Sequence, residues 1–188
     1  MKQLVMLSGK GGTGKTSLTA AFAHLAAEGD LPIQAVLVDA DVDAANLELL
    51  IKPEVENCID FWAGQIAVID SLNCAGCGTC QAVCRFGAVL ADNPASYPVE
   101  QNGDRFRVDP LACEGCAACV YQCPQDAIRL KPQMAGEWFQ SRSRYGPMFH
   151  AALRPAQENS GRLVTLVKQN ARLLALDDDI PLTVSYTH

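Results

Sequence analysis

Eight of the nine cysteines fall into two runs of one spacing: Cys74, Cys77, Cys80 and Cys84 read C-x2-C-x2-C-x3-C, and Cys113, Cys116, Cys119 and Cys123 repeat it, with Pro124 next. Thiolates at this spacing hold cubane iron-sulfur clusters, because three closely spaced cysteines wrap three corners of one cube while the fourth reaches across to the other. The ligand sets therefore cross. Cys74, Cys77, Cys80 and Cys123 are expected to hold one 4Fe-4S centre, and Cys113, Cys116, Cys119 and Cys84 the second. Other uses of thiols fit less well. A disulfide framework needs an oxidising compartment, and the chain opens Met1-Lys2-Gln3-Leu4 straight into a strand pattern, with no secretory signal expected. Zinc takes four ligands per site, with longer gaps between the pairs.

A second stretch that carries chemistry lies near Met1. Ser8-Gly9-Lys10-Gly11-Gly12-Thr13-Gly14-Lys15-Thr16 follows the apolar run Leu4 to Leu7 without a gap and leads into a helical pattern. Gly9-x4-Gly14-Lys15-Thr16 satisfies the Walker A pattern, whose glycines let backbone N–H groups close around phosphates at a helix N-terminus. Lys15 is expected to reach the β- and γ-phosphates, and the Thr16 hydroxyl to ligate magnesium. Further on, the apolar run Ala35 to Val38 ends in Asp39-Ala40-Asp41-Val42-Asp43. A buried parallel strand that ends in carboxylates delivers charge to the crevice where open α/β sheets bind ligands. Asp43 is better read as a cap for the helix that follows.

The cysteine repeat extends into its flanks, Cys84-Arg85-Phe86-Gly87-Ala88-Val89-Leu90 matching Cys123-Pro124-Gln125-Asp126-Ala127-Ile128-Arg129-Leu130. Each half reads as a cluster loop, a short helix and an apolar strand, related by pseudo-twofold symmetry. From Ile66 to Lys131 the chain resembles the bacterial two-cluster ferredoxins. Arg85 stands where the simplest of these carry proline, and a cation there favours the reduced cluster. So small a unit has little apolar core, so the metal centres are expected to supply much of its folding free energy, and without iron and sulfide it is expected to be disordered.

Lys10-Gly11-Gly12-Thr13-Gly14-Lys15-Thr16 resembles the deviant Walker A loop of the MinD, ParA, Mrp and nitrogenase-iron-protein ATPases. That resemblance implies ATP with Mg2+ on Gly9 to Thr16. It implies too that Lys10 crosses a dimer interface to the partner's phosphates. Asp39 to Asn46 resembles the family's switch I. Asp41 then orients the attacking water or holds the magnesium shell, with Asp39 assisting, although Val42 stands where proline is usual. Lys10, Lys15 and Asp41 are thus the implied catalytic residues.

These residues need elements to position them. The periodicities predict a helix with Leu18, Phe22, Leu25 and Ala26 on one face up to Gly29, a strand at Ala35 to Val38, a helix at Asn46 to Ile51, a polar connection from Pro53 to Asn57 and a strand at Ile66 to Ile69. Tyr97 to Val108 reads as a hairpin around Asn102-Gly103, and Cys58 as a small core residue. From Lys131 to Pro155 the chain reads as an irregular connector broken by Pro132, Gly136, Gly146, Pro147 and Pro155, with Trp138, Phe139, Tyr145, Met148 and Phe149 packing it and His150 without a role. A helix opens at Ser160-Gly161 with Leu163, Leu166, Val167, Ala171 and Leu174 on one face, and Ile180 to Val184 reads as a buried strand.

The fold class implied is α/β: a P-loop NTPase of MinD-like type, a parallel sheet with helices, carrying an inserted α+β ferredoxin-like domain. The expected domains are residues 1–65 and 132–188 for the ATPase and 66–131 for the insertion. In the resembled family, the strand matching Ile180 to Val184 leads into an aspartate and a proline-glycine turn, the Walker B or switch II element. Here Ser185-Tyr186-Thr187-His188 follows instead. The expectation is a sheet truncated before switch II, with its last strand an exposed parallel edge, and a resemblance that supports nucleotide binding more than hydrolysis.

Fifteen basic and twenty-one acidic residues give a net charge of −6, with no basic block interleaved with aromatics, so no nucleic-acid partner is expected. The longest apolar runs are too short to span a bilayer, so no membrane is expected. Oxygen-sensitive clusters point to a reducing cytoplasm. By resemblance to MinD-superfamily ATPases with an inserted two-cluster ferredoxin, nucleotide-driven homodimerisation alters the exposure or potential of the clusters, which pass electrons to a redox partner protein. Two other readings stand beside this one: an assembly ATPase handing clusters to an acceptor, and a ferredoxin with a vestigial nucleotide loop.

Overall fold

A computed structural model describes residues 2–8, 12–92, 105–157 and 160–187. In chain order the elements are β1 (Lys2–Leu7), α1 (Lys15–Glu28), β2 (Ala35–Asp39), α2 (Leu47–Ile51), β3 (Glu54–Ile69), α3 (Thr79–Val83), β4 (Val89–Asp92), β5 (Arg105–Val108), α4 (Ala118–Tyr121), β6 (Ile128–Ser143), β7 (Gly146–Leu153), α5 (Ser160–Asp177) and β8 (Leu182–Thr187). Among the described residues the strands form a six-stranded sheet in the order β1-β8-β2-β7-β6-β3 and a two-stranded sheet of β4 and β5. β1, β8, β2 and β7 run parallel, and β6 turns back antiparallel to β7. The result is the mostly parallel α/β architecture expected of a P-loop protein.

Two compact units divide the chain. Unit 1 comprises Met1–Phe61, Ala135–Arg154 and Glu158–His188, and unit 2 comprises Trp62–Met134 with Pro155–Gln157. The boundaries fall inside β3 and inside β6.

In unit 1 the core forms on strand alternation. Ala35 and Leu37 of β2 join Met6, Met148, Val184 and Tyr186 of neighbouring strands, Ala23 of α1, and Leu47 and Ile51 of α2 in one buried cluster. Val36 and Val38 point the other way, as successive strand residues must, and are equally buried on the side left to α5. α5 meets the sheet through Leu163, Val167, Ala171 and Ala175; the first three belong to the predicted face, of which Leu166 and Leu174 are only partly buried. In unit 2 a smaller core gathers Ala67, Cys80, Val89, Cys119 and Ile128. No helix among the described residues is long and apolar enough to cross a membrane, which says nothing of a β-barrel.

Several expectations are corrected. The stretch from Lys131 to Pro155 is the β6–β7 hairpin, with Trp138 stacked on Phe149 and Phe139 on His150. Its glycines are there for close approach: a side chain at Gly136 would meet the Ala152 carbonyl oxygen at 2.5 Å, and one at Gly146 would run into that of Ala35. The polar connection from Pro53 belongs to β3 from Glu54 onward, and Ile66 to Ile69 is only the end of that strand. Cys58 lies exposed on β3, the edge strand of the sheet among the described residues. On α1 the buried residues are Lys15, Thr19 and Ala23, while Leu18, Phe22 and Leu25 face outward. Small residues bring the helix close to the sheet, which an apolar period alone does not reveal. β8 is no edge: β1 pairs with one side of it and β2 with the other. The reading of a hairpin turn at Asn102-Gly103 lies outside the described residues. β5 pairs antiparallel with β4, Val108 opposite Val89.

Gly146 has φ of 125°, where side chains are strained, and lies against the Ala35 backbone. Gly146→Ala should therefore lower stability by roughly 1–3 kcal/mol or more, read as a fall in the urea midpoint. A neutral result would show that the β2–β7 pairing tolerates displacement there.

Candidate functional site

At the end of β1 the chain enters the phosphate-loop sequence, of which Gly9, Lys10 and Gly11 lie outside the described residues. Gly12 and Gly14 take φ of 74° and 83°, with open space where a side chain would stand. Glycine is required here by backbone conformation, since L-residues pay a steric penalty in this region. Gly14 begins α1 without any side chain to cap the first turn, the arrangement in which a helix N-terminus receives an anion. Lys15, nearly buried, donates from Nζ to Ser8 Oγ at 2.8 Å, and Thr13 Oγ1 donates to the same oxygen at 2.8 Å. Thr19 holds the helix to the strand, its hydroxyl 2.9 Å from the Lys15 carbonyl and 2.8 Å from Met6 Sδ.

The acidic turn follows β2 on the neighbouring side of β8. Asp39 is fully buried and accepts the N–H groups of Asp41, Asn46 and Leu47 at 3.1, 3.0 and 3.0 Å. It thereby caps α2, a role the sequence suggested for Asp43, which is exposed. Burial raises the Asp39 pKa, outweighing the hydrogen bonds that oppose it. Asp41 is buried in the same turn, its carbonyl accepting the N–H of Ala44 at 3.1 Å.

Tyr186 completes this end of the sheet and was missed as a site residue, since the sequence there reads only as the lack of an aspartate. Strand register sets it opposite Met6 on one side and Asp39 on the other. Its hydroxyl is buried beside the Asp39 carboxylate and the Thr16 hydroxyl but makes no hydrogen bond of good geometry. Burial first, then the nearby Asp39 charge, pushes the phenol far above its ordinary range, so it is a neutral group.

In unit 2 the eight cysteines part into two cavities. One is lined by Cys113, Cys116, Cys119 and Cys84, and the other by Cys74, Cys77, Cys80 and Cys123. The fourth cysteine of each run thus sits in the cavity of the other. No three His, Cys, Asp or Glu side chains among the described residues close on a single metal ion. The thiols instead ring a volume, which is the donor arrangement a multi-atom cluster needs. Backbone N–H groups already point at sulfur, Ala67 to Cys113 Sγ at 3.5 Å and Ala127 to Cys123 Sγ at 3.3 Å. Burial raises the thiol pKa of Cys80 and Cys119, whereas the Thr79 hydroxyl, 3.4 Å from Cys77 Sγ, lowers that of Cys77.

The repeat is also a backbone repeat. Gly76 and Gly115, Gly78 and Ala117, and Gly87 and Asp126 occupy matching positions, each pair with positive φ. Asp70 and Asp109 close matching turns, accepting the N–H of Leu72 at 3.0 Å and of Leu111 at 2.9 Å.

His150 has partners that the sequence did not suggest. It is buried on β7, with Nδ1 3.2 Å from Glu48 Oε2 and Nε2 3.1 Å from Ser141 Oγ, which is itself wholly buried. That chain of contacts ties α2, behind the acidic turn, to the β6–β7 hairpin.

Comparison with known proteins gives three matches. The profile of the CobQ/CobB/MinD/ParA nucleotide binding domain matches residues 4–183. The uncharacterized protein MJ0578 of Methanocaldococcus jannaschii is 29% identical over 170 residues, which are 90% of this chain and 55% of that protein. The uncharacterized ferredoxin MJ0722 of the same organism is 33% identical over 64 residues, 34% of this chain and 75% of that protein. The chain therefore spans about 55% of the length of the longer match.

Burial holds the His150 imidazole below its ordinary value of 6.5, with Glu48 pulling partly the other way. The unfolded chain then binds this proton more readily than the folded one, so stability is retained above about pH 6.5 and falls as pH drops below it. Urea midpoints measured between pH 7 and 5 should show this loss, to which one group contributes at most about 1.4 kcal/mol per pH unit. His150→Gln should flatten it. An unchanged slope in that variant would assign the acid sensitivity to other groups.

Proposed function

Because the chain belongs to the CobQ/CobB/MinD/ParA nucleotide-binding domain family, we propose that it is an ATP-binding iron-sulfur protein in which nucleotide state governs electron transfer through two 4Fe-4S clusters. The observation that carries this reading is the partition of eight thiols into two four-cysteine cavities, in a chain whose other unit has a phosphate-loop lysine folded over its helix N-terminus. The match to a ferredoxin over about a third of the chain supports it. Cys74, Cys77, Cys80 and Cys123 hold one centre and Cys113, Cys116, Cys119 and Cys84 the other. Bound there, 4Fe-4S centres supply one-electron storage and transfer. Ala67 and Ala127 hold thiolate charge in place through their N–H groups, and Thr79 adds a donor to the first site that Ala118, its counterpart, does not offer the second.

At the nucleotide site, Lys15 leaves Ser8 for the β- and γ-phosphates of ATP, and the backbone from Gly9 to Gly14 cradles them. Thr16 offers its hydroxyl to Mg2+, and Asp41 orients water or steadies the magnesium shell. Lys10 reaches the phosphates of a second copy, which makes ATP the agent of homodimerisation. A redox partner protein in a reducing cytoplasm takes or gives the electrons. Permanent electron-carrying centres are favoured over transferable ones because each cavity closes only with a thiol from the other half.

Anaerobic reconstitution should load about eight iron atoms per chain. Cys123→Ala should then alter the same paramagnetic resonance signal as Cys77→Ala, and Cys84→Ala the same signal as Cys116→Ala. If the signals group by run instead, the exchange of ligands is wrong. Removing iron with a chelator should unfold unit 2, read as lost amide protection from Trp62 to Met134. Lys15→Ala should weaken ATP binding roughly 10- to 100-fold, the value of a charged hydrogen bond or two. Equal binding by both proteins would remove the nucleotide from the reading.

A further inference from the structure

The end of β8 poses a packing problem that its neighbours do not solve. Tyr186 is 1% exposed, yet its hydroxyl lacks a hydrogen bond of good geometry. Leaving a buried hydroxyl unsatisfied costs about 1–3 kcal/mol, and phenylalanine would fill the same space without that cost. The groups beside it are the Thr16 hydroxyl and the Asp39 carboxylate. Strand pairing enforces this position. Met6 lies two residues before Ser8, where the phosphate loop begins, Asp39 ends β2, and Tyr186 is in register with both. The backbone is tied as well, the Tyr186 carbonyl accepting the N–H of Ala40 at 3.2 Å.

Asp39 is a poor candidate for meeting a cation itself. Both of its oxygens are engaged by backbone N–H groups, one by Asp41 and the other by Asn46 and Leu47. A neutral phenol is likewise a weak direct ligand. It can, however, donate its proton to a carboxylate while its oxygen accepts from a water, and magnesium keeps several waters in its coordination shell when a site offers few protein ligands.

We infer that Tyr186 is a positioning residue for the magnesium that accompanies the nucleotide, its hydroxyl holding a water of the cation's shell between Thr16 and Asp39. This rests on the reading of Gly9 to Thr16 as an ATP site. It goes beyond that reading by adding a support for the cation's shell on β8, beside Thr16 and the acidic turn.

The test compares ATP affinity with Mg2+ and with EDTA, by calorimetry on the reconstituted full chain, for wild type and Tyr186→Phe. With EDTA the two proteins should bind alike. With Mg2+ the variant should bind about five- to tenfold more weakly, the loss of one water-mediated hydrogen bond to a charged centre. A variant that keeps the full gain from Mg2+ overturns the inference, as does one weakened equally in both conditions, which would make Tyr186 a packing residue. Absence of ATP binding by wild type in either condition would instead end the nucleotide reading. A second measurement needs no variant: Mn2+ added with ATP should broaden the Tyr186 ring resonances of tyrosine-labelled protein, and sharp resonances at saturation would reject the assignment.

Discussion

Cys84 lines the cavity of the second cysteine run and Cys123 that of the first, so neither half of the repeat presents four thiols unless the other is folded against it. This exchange makes the two halves one cooperative object. Among the described residues the buried cluster of this unit is Ala67, Val89 and Ile128 with two of the cysteines themselves, and partly buried residues such as Ile69, Phe106 and Val108 pack against it. The paired turns that set the thiols depend on positive φ at matching positions, and only at Ala117 and Asp126 does the second half meet that demand without glycine. Such backbone strain persists where surrounding structure over-determines it, which the proposed ligation from both sides would do.

Unit 1 is organised by a different constraint, the burial of a carboxylate. Asp39 ends a strand with no exposed residue, and the N–H groups of Asp41, Asn46 and Leu47 close on it. That closure shapes the acidic turn and starts α2. It also makes Asp39 a structural group. A buried hydroxyl at Tyr186 then stands where this turn, the phosphate loop and the last strand meet.

Much of this was legible in the residues. The strand before the glycine loop and the helix after it are local, so the apolar run from Leu4 and the helical pattern after Thr16 were enough to place them. The β6–β7 hairpin was not. Pro132, Gly136, Gly146 and Pro147 resemble breakers when read singly, but two of them are demanded by a backbone passing alongside, Ala152 at Gly136 and Ala35 at Gly146. The outward set of Leu18, Phe22 and Leu25 on α1 was misread for a related reason. Periodicity marks an apolar face, and only the strands beneath decide which face they receive, here the one with Thr19 and Ala23.

By itself the sequence determined the chemistry available: how many thiols, at what intervals, and a lysine-bearing glycine loop between a strand and a helix. These are properties of neighbouring residues, and geometry over a few bonds is enough to specify them. The tertiary structure alone decided that β8 enters between β1 and β2, that Tyr186 meets Thr16 and Asp39, and that His150 bridges Glu48 and Ser141. Each of those outcomes hangs on strand order and register, which arise from pairings between distant segments and leave no mark on the spacing of any one of them.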